Sequence, residues 1–452
     1  MSADAFAPED DLSDLPSSGE SAFATGETTA VEVASEIGRL RRVLVHRPGA
    51  EIDWMVPSMM ERLLFDDILY GDQARREHAA FRRVLEAAGV EVIDPQTLLA
   101  DLMADDAERE PLFEALREQR HVDDAMVTHL RTLSPEELAS ALITGVRAAD
   151  PAPAGSLRRM ESFYRLTPLA NYFFQRDPQV VVGEHVLVSA MATEARDREP
   201  LLSQIAFRHP ALSGMADFLR FEMPAFQDPI NRPTLEGGDV LVVSDEILLV
   251  GLSVRTNRWG VEALANALRA SGTAFRHLIV VELPPQRSYM HLDTVFTFID
   301  RGLCLAYLPV IERGGAETGH VYRIDLAASE LHYTACPSLP DALDELGMPI
   351  ELVPCGGSRA IIEQQREQWT DGANAFAIAP GVILLYRRNR LTVEALRQRG
   401  WRVLQVEQVL DGSEPVLGKG PTVISLRDNE LSRARGGPRC MTMPLLRDPL
   451  DG

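Results

Sequence analysis

Pairs of short apolar runs recur along the second half of the chain and predict a repeated structural unit. Segments 178–191, 238–253 and 374–388 each contain two runs of strand length separated by a tight turn, which is the pattern of a β-hairpin. A polar corner and a stretch with helical periodicity follow each hairpin, and in the last two segments another apolar strand comes next. Segment 291–309 adds a further hairpin, and 39–49 a fragment of one. The predicted unit is therefore strand, strand, helix, strand (ββαβ).

A ββαβ unit that recurs in this way predicts an α/β fold. Such repetition favours a closed, propeller-like ring over an open α+β sheet, which is the alternative. The ring is expected over 38–71 and 166–452, with a helical insertion over 72–165 between the two parts. Residues 1–37 are rich in acidic residues and contain no Lys or Arg, which predicts a disordered acidic tail.

Composition narrows the class of protein. The chain has 452 residues, of which 45% are hydrophobic and 25% charged, and its formal net charge is −22. The negative charge opposes binding to nucleic acid or to an anionic membrane surface, but it does not oppose a cationic small molecule. Four cysteines without a CxxC pair, no signal-peptide pattern and no apolar run of membrane-spanning length favour a cytoplasmic location.

Four polar places interrupt otherwise apolar strands, and in a ring they can converge on one cavity. These places are Asn171–Asp177, Glu236–Asp239, His291–Asp293 and Arg435–Cys440. Cys440 follows a Gly/Pro loop with two arginines, an electropositive setting that favours a thiolate, so we expect it to be a nucleophile. The other cysteines lack this setting and are expected to be structural: Cys304, Cys336 and Cys355.

His291 and Asp293 are two residues apart in a strand pattern, so their side chains are expected on one face. A histidine beside a carboxylate fits proton transfer. The same pair could bind a metal ion, but no third soft ligand has suitable spacing, so no metal is expected. Glu236 and Asp239 flank two glycines at the start of a hairpin, and Asp177 precedes a proline. Each of these three carboxylates, taken alone, is also compatible with a simple turn residue.

Taken in order, the motifs of these four places resemble those of the arginine deiminase family, guanidine-modifying enzymes of the pentein fold. They are Asn-x-x-Phe-x-Arg-Asp (171–177), Glu-Gly-Gly-Asp (236–239), Met-His-Leu-Asp-Thr (290–294) and Arg-Gly-Gly-Pro-Arg-Cys-Met (435–441). Further matches are VLVHRPG (43–49), LLFDDILY (63–70) and REQWTDGAN (366–374). The resemblance covers about 40–71 and 167–445, and it implies a five-bladed ring of ββαβ units with an inserted helical domain.

The resemblance also implies a role for each residue in the hydrolysis of L-arginine to L-citrulline and ammonia. Cys440 would attack the guanidinium carbon to form a covalent amidino intermediate, and His291, supported by Glu236, would be the acid and base. Asp177 and Asp293 would hold the guanidinium nitrogens. The remaining expected contacts to substrate, with the arginines at its α-carboxylate, are Asn171, Phe174, Arg196, Arg255, Asp239 and Arg435.

Two alternatives remain open from the sequence. One is another guanidine-modifying enzyme of the same fold, either an amidinotransferase or a hydrolase of a modified arginine. The other is a non-catalytic arginine-binding protein, for which a nucleophile would be unnecessary. The expected reaction needs no metal or organic cofactor, since a thiolate and proton transfer are sufficient. The expected partner is the small-molecule substrate L-arginine, and a homo-oligomer is compatible with the sequence.

Overall fold

The computed structural model describes residues 31–119, 121–148, 163–212, 217–219 and 232–450. Its strands are β1 (Leu40–Leu44), β2 (Glu91–Ile93), β3 (Val146–Arg147), β4 (Tyr164–Leu166), β5 (Gln179–Val182), β6 (His185–Val188), β7 (Asp217–Leu219), β8 (Val240–Val242), β9 (Ile247–Leu252), β10 (His277–Glu282), β11 (Phe296–Asp300), β12 (Leu303–Ala306), β13 (Val321–Asp325), β14 (Tyr333–Cys336), β15 (Glu351–Pro354), β16 (Phe376–Ala379), β17 (Val382–Tyr386), β18 (Arg402–Gln405), β19 (Thr422–Leu426) and β20 (Met443–Arg447).

Its helices are α1 (Ala50–Asp53), α2 (Gly71–Ala87), α3 (Pro95–Leu102), α4 (Asp106–Glu118), α5 (Asp124–Leu130), α6 (Pro135–Thr144), α7 (Glu199–Ala206), α8 (Arg258–Ala270), α9 (Leu308–Ile311), α10 (Leu339–Asp344), α11 (Ile361–Trp369), α12 (Arg390–Gln398) and α13 (Val406–Leu410). None of these helices combines the length and the apolar character that crossing a bilayer requires.

The repeated unit predicted from the sequence is present. Five of the six sheets formed by the described residues contain an antiparallel pair of strands and a third strand parallel to the second. They are β5-β6-β7, β8-β9-β10, β11-β12-β15, β16-β17-β19 and β20-β1-β2. At least one helix connects the second strand to the third in each, as a parallel pairing requires. The predicted hairpins are confirmed as β5-β6, β8-β9, β11-β12 and β16-β17.

One sheet joins distant parts of the sequence. β20 pairs antiparallel with β1, and β2, which follows α2, pairs parallel with β1. Strand β2 therefore belongs to this sheet, and helix α2 connects β1 to β2. The helical insertion predicted over 72–165 includes both of them, so its predicted first residue lies too early in the chain. Helices α3 to α6 make up the described part of the insertion, and α3 packs against both α6 and α7.

Residues 31–37 are packed into the protein, although the sequence predicted a tail over 1–37. Val31 and Val33 are buried, and Val33 exchanges backbone hydrogen bonds with Gly183 at 2.9 Å. Glu36 is also buried. Two buried valines and a buried glutamate with hydrogen-bond partners explain why this segment is folded. The boundary that the sequence predicted between tail and ring, at residue 37, is therefore wrong. Residues 1–30 of the predicted tail lie outside the described residues.

The strands beneath the site are buried almost throughout. All residues of β8 are buried, as are most of β9, β10 and β11. Burial of apolar strands is the main favourable contribution to stability, roughly 25 cal/mol per Å². The loops that enter these strands are therefore anchored at one end, which fixes the side chains located there.

Candidate active site

Five predicted catalytic residues lie just before the first strand of a sheet. Asp177 precedes β5, Glu236 precedes β8, His291 and Asp293 precede β11, and Cys440 precedes β20. All five are buried. The side chains of Asp177, His291 and Cys440 line one cavity. Equivalent positions of successive repeats therefore converge, as the sequence predicted.

The cavity is narrow. Its walls are formed by Leu64, Asn171, Phe174, Asp177, Arg196, Arg255, Arg287, Met290, His291, Thr294, Ala434, Arg435 and Cys440. The cavity volume is about 20 Å³, which leaves room for about one or two water molecules. A ligand as long as an amino acid with an extended side chain needs more space, so part of the wall must move before such a ligand can enter.

His291 and Glu236 form a buried ion pair. Nε2 of His291 lies 2.8 Å from Oε2 of Glu236, and Nδ1 lies 3.7 Å from Oδ1 of Asp177. Gly238 permits this packing, because a Cβ atom there would lie 2.7 Å from the imidazole ring. Burial alone would lower the pKa of His291, but Asp177 and Glu236 outweigh it and raise that pKa to about 9. Burial opposes the charge of Glu236, yet Arg255 and His291 lower its pKa to about 2.

Cys440 lies among carboxylates. Its Sγ is 3.9 Å from Oδ2 of Asp293. Burial raises the pKa of the Cys440 thiol well above its ordinary value, and the charges of Asp293 and Asp177 raise it further. The electropositive setting expected from the sequence is therefore wrong for this structure. The two arginines of the loop are engaged elsewhere, Arg435 with a backbone carbonyl and Arg439 with buried carboxylates.

Four buried polar atoms around the cavity have no hydrogen-bond partner. Two are acceptors, Oδ1 of Asp177 and Oδ1 of Asp293, and two are donors, Nη1 of Arg255 and Nε of Arg435. Buried polar groups are normally paired, because an unpaired one costs about 1–3 kcal/mol. Three of the four nevertheless lie at ion-pair distance from a charged group. Nδ1 of His291 is 3.7 Å from Oδ1 of Asp177, Oε1 of Glu236 is 3.6 Å from Nη1 of Arg255, and Oδ2 of Asp66 is 3.9 Å from Nε of Arg435. The site therefore has hydrogen-bonding capacity of both kinds that the protein itself does not use.

Arg196 lines the cavity but is already occupied. Its Nη1 donates to Oδ2 of Asp177 at 2.5 Å, and its Nε and Nη2 donate to the carboxylate of Glu199 at 2.9 and 2.7 Å. Nη2 also contacts the backbone carbonyl of Phe174 at 3.2 Å. The sequence led us to expect Arg196 at the α-carboxylate of the substrate. Its observed bonds instead give it a role at Asp177, on the side expected for the guanidinium.

Asp239 supports the site and does not line the cavity. Its Oδ1 accepts from the backbone N–H of Leu292 at 2.8 Å, and its Oδ2 accepts from Oγ of Ser253 at 2.7 Å. Burial raises the pKa of Asp239 to about 7. Both oxygens are thus used to hold the loop after His291 and the corner before Arg255. The predicted contact between Asp239 and substrate stays a prediction, although both carboxylate oxygens already accept hydrogen bonds from these protein donors.

The other predicted substrate-binding residues do line the cavity: Asn171, Phe174, Arg255 and Arg435. Arg435 has a left-handed backbone conformation with φ of 64°. Its guanidinium carbon lies 3.5 Å from the centre of the Trp369 ring, and its Nη1 donates to the carbonyl of Trp369 at 2.5 Å. The cation is therefore held against an aromatic face. A role for these residues in substrate binding stays a prediction.

Sequence reasoning missed Asn374, which organises the cysteine loop. Its Oδ1 accepts from the backbone N–H groups of Arg439 and Cys440 at 3.1 and 3.3 Å, and its Nδ2 donates to the carbonyl of Asp293 at 3.0 Å. Asn374 lies just before β16, the position that the catalytic residues occupy in the other repeats. This position in the repeat was the sequence signal that could have identified Asn374 as a site residue.

Three of these side chains could in principle hold a cation. Asp177, Glu236 and His291 each offer one ligand atom, and the atoms lie within 4.8 Å of one another. However, Nε2 of His291 is hydrogen-bonded to Glu236, and the other oxygen of Asp177 is bound by Arg196. An imidazole that carries a proton cannot ligate a metal through that nitrogen, so the arrangement fits an ion pair better than a metal site.

The fold resembles that of a solved amidinotransferase. SxtG, an amidinotransferase from Microseira wollei in the saxitoxin biosynthetic pathway, matches with a TM-score of 0.53 and 15% sequence identity, over 93% of this chain and 98% of that one. At this identity the match shows the fold alone. It confirms the predicted α/β class.

Comparison of sequences shows the family. The arginine deiminase family model matches residues 61–447. The arginine deiminase of Listeria monocytogenes serotype 4a (strain HCC23) is 34% identical over 434 residues, which is 93% of this chain and 98% of the relative. That of Clostridium perfringens (strain SM101 / Type A) is 35% identical over 441 residues, 93% of this chain and 99% of the relative. The chain belongs to the arginine deiminase family, which confirms the resemblance and the enzyme class predicted from the sequence.

Proposed function

We propose that this chain hydrolyses L-arginine to L-citrulline and ammonia through a covalent intermediate on Cys440. The observation that carries the proposal is the set of four buried polar atoms without a hydrogen bond. Oδ1 of Asp177 and Oδ1 of Asp293, which accept no hydrogen bond, are acceptors suited to a guanidinium, and Nη1 of Arg255 and Nε of Arg435, which donate none, are donors suited to a carboxylate. A ligand with a guanidinium at one end and an α-carboxylate at the other satisfies both pairs.

Binding of this substrate would also activate the nucleophile. The pKa of Cys440 is raised by burial and by the charges of Asp293 and Asp177. A guanidinium, which stays cationic at neutral pH, neutralises those two carboxylates when it binds between them. The contribution of these two charges to the raised pKa is then offset, and the thiol can lose its proton to solvent. The substrate thus generates the thiolate that attacks it.

His291 acts first as an acid and then as a base in the proposed reaction. The thiolate of Cys440 attacks the guanidinium carbon and forms a C–S bond. His291, an imidazolium because its pKa is raised to about 9, donates a proton to the leaving nitrogen, and ammonia departs. Neutral His291 next takes a proton from water as the water attacks the amidino carbon. The C–S bond breaks, the thiolate is restored, the remaining hydroxyl proton passes to solvent, and citrulline is released.

Two alternative functions are less well supported by the site. An amidinotransferase would form the same adduct on Cys440 but pass it to an amine. The likeness to SxtG does not favour this, because it concerns the fold alone. A non-catalytic arginine-binding protein would require neither the buried thiol nor the His291–Glu236 pair.

The test is a substrate panel with the purified full-length chain. Arginine, agmatine, methylated arginines and arginine plus glycine are each incubated with enzyme, and citrulline and ammonia are measured. We expect citrulline and ammonia in equal amounts from arginine alone, and an intact-mass adduct of one amidino group that Cys440→Ser abolishes. No citrulline from arginine alone, with amidino transfer once glycine is present, would refute the proposal.

We also propose that the five ββαβ-containing sheets are the blades of one closed ring, a five-bladed pentein. The convergence of residues that precede β5, β8, β11, β16 and β20 supports this arrangement. The four cysteines are all free thiols, which supports the predicted cytoplasmic location, since disulfides are rare in a reducing compartment. Assembly into a homo-oligomer stays a prediction, which sedimentation of the purified chain would test.

A further inference from the structure

We infer that Glu36 is a positioning residue for the reaction, because it fixes Arg439 and through it the substrate-binding carboxylate of Asp293. This inference rests on the proposed function. Glu36 lies before residues 61–447, which the family model matches, in the segment that the sequence predicted to be a tail. The position of Glu36 in the sequence therefore does not indicate a role in the active site.

The chain of contacts is continuous and buried. Oε2 and Oε1 of Glu36 accept from Nε and Nη2 of Arg439 at 3.0 and 3.1 Å, a two-point pairing. Nη1 of Arg439 donates to Oδ2 of Asp293 at 2.8 Å, and Nη2 also donates to the carbonyl of Val240 at 2.8 Å. The side chains of Arg439 and Asp293 are 1% and 0% exposed, so water cannot replace either partner.

The backbone around Glu36 is anchored to the sheet that carries Glu236. The N–H of Glu36 donates to the carbonyl of Val242 in β8 at 2.8 Å, and the N–H of Val242 donates to Oε1 of Glu36 at 3.2 Å. Glu36 is therefore held from both its backbone and its side chain. An anchored carboxylate can fix the orientation of Arg439, which a mobile one could not.

The charge of Glu36 is maintained by its surroundings. Burial opposes ionisation, but Arg439 and Arg176 outweigh it and hold the pKa of Glu36 at about 2. Burial, together with the nearby charge of Arg439, lowers the pKa of Arg176 to about 9. Glu36 thus compensates two neighbouring buried cations, and without its charge Arg439 would be balanced by Asp293 alone.

This balance determines which oxygen of Asp293 is available. With Glu36 in place, Arg439 engages only Oδ2 of Asp293, and Oδ1 stays unpaired for substrate. If Glu36 loses its charge, the planar fork of Arg439 is free to turn onto both oxygens of Asp293. It would then compete with the guanidinium of the substrate for Oδ1. The expected defect is therefore weaker arginine binding that depends on Asp293.

A double-mutant cycle tests this dependence. Equilibrium binding of L-arginine is measured by calorimetry in the non-reacting Cys440→Ser background, for Glu36→Gln, Asp293→Asn and both together. We expect Glu36→Gln to weaken binding about tenfold or more, and to add less than about twofold once Asp293 is already Asn, because coupled residues are non-additive. Glu36→Asp keeps the charge and should recover part of the lost affinity.

The matched control is Glu32→Gln, which removes a carboxylate from the same segment and should change binding less than about twofold. Thermal unfolding of each variant shows whether it is folded, and if Glu36→Gln does not fold, Glu36→Asp carries the cycle, with a smaller but still Asp293-dependent loss. Unchanged binding in the Glu36 variants, or losses that multiply in the double variant, would overturn the inference. Citrulline formation by the unaltered chain is measured separately, so a failed positioning role is distinguished from a failed function.

Discussion

Arg196 donates from Nη1 to Oδ2 of Asp177 at 2.5 Å, while Glu199 holds the opposite edge of the same guanidinium. Glu199 is entirely buried, and Arg196 is therefore fixed before any substrate arrives. It restrains one oxygen of Asp177 and leaves Oδ1 without a hydrogen bond. Pre-positioning of this kind reduces the ordering that binding would otherwise require.

Arg196 and Arg255 should therefore fail in different ways when each is changed to Gln. Agmatine has the guanidinium of arginine but no carboxylate, so it reports on the guanidinium end alone. Arg196→Gln should weaken inhibition by agmatine and raise KM for arginine by similar factors, about tenfold or more for the loss of a charged hydrogen bond. Arg255→Gln should affect arginine much more than agmatine.

The measurement is the steady-state KM for arginine beside the inhibition constant of agmatine for each variant. Arg276→Gln, which removes an arginine that is 62% exposed, is the matched control and should change neither constant. If Arg196→Gln weakened the binding of arginine but not that of agmatine, Arg196 would act at the α-carboxylate of the substrate. That result would contradict its assignment to Asp177.

The pH dependence of the reaction should reflect His291. Its pKa is raised to about 9, so the imidazolium is present below that pH and is lost above it. We expect kcat/KM to fall as the pH rises through about 9. In Glu236→Gln one cause of the raised pKa is absent, and this basic limb should move to lower pH. The profile is measured by citrulline formation at saturating and at low arginine concentrations.

The control for this profile is Glu246→Gln, since Glu246 is 57% exposed and belongs to an ion pair at the surface. Its basic limb should coincide with that of the unaltered chain. A basic limb that stays in place in Glu236→Gln would show that Glu236 does not set the pKa of His291, and the acid and base role would need another partner.

Gly238→Ala should impair catalysis through a single methyl group. A Cβ atom at Gly238 would lie 2.7 Å from Cγ and Nδ1 of His291 and 2.9 Å from Oδ1 of Asp177. The backbone of Gly238 is not in the left-handed region, so the effect is one of contact and not of conformation. Displacing the imidazole should lower kcat about 100-fold, as misplacement by an ångström does elsewhere.

This prediction is checked by steady-state kinetics together with thermal unfolding. We expect Gly238→Ala to be folded and to have a much lower kcat. We expect the affinity for arginine, measured in Cys440→Ser/Gly238→Ala, to fall by a smaller factor than kcat. This combination supports contact between the methyl group and His291. Activity within about twofold of the unaltered chain would show that the ring can shift without loss.

Much of this architecture follows from local sequence pattern. The hairpins could be predicted because their two apolar runs and tight turns lie close together in the sequence. Asp177, Glu236, His291 and Cys440 could be identified because each stands at a polar interruption just before a buried strand. A repeat places such positions side by side, so a short-range pattern was sufficient to predict the convergence.

The roles that sequence did not reveal depend on partners far apart in the chain. Arg435 and Arg439 are neighbours of Cys440 in sequence, but their guanidiniums bond to Trp369 and to Glu36 instead of creating an electropositive setting. Asp239 has the residue type expected of a substrate ligand, yet its oxygens are taken by backbone and hydroxyl donors. Which acceptor meets which donor is decided by the folded geometry and not by the motif.

The pairing of β1 with β20 has a consequence for how the enzyme is made. Arg41 and Asp448, bonded at the edge of this sheet, are separated by 407 positions in sequence, and contacts of such separation form late in folding. A nascent chain leaves the β20 side of β1 uncovered until β20 has been synthesised, and an uncovered strand edge favours association with other chains. Association through that edge would then compete with completion of the sheet.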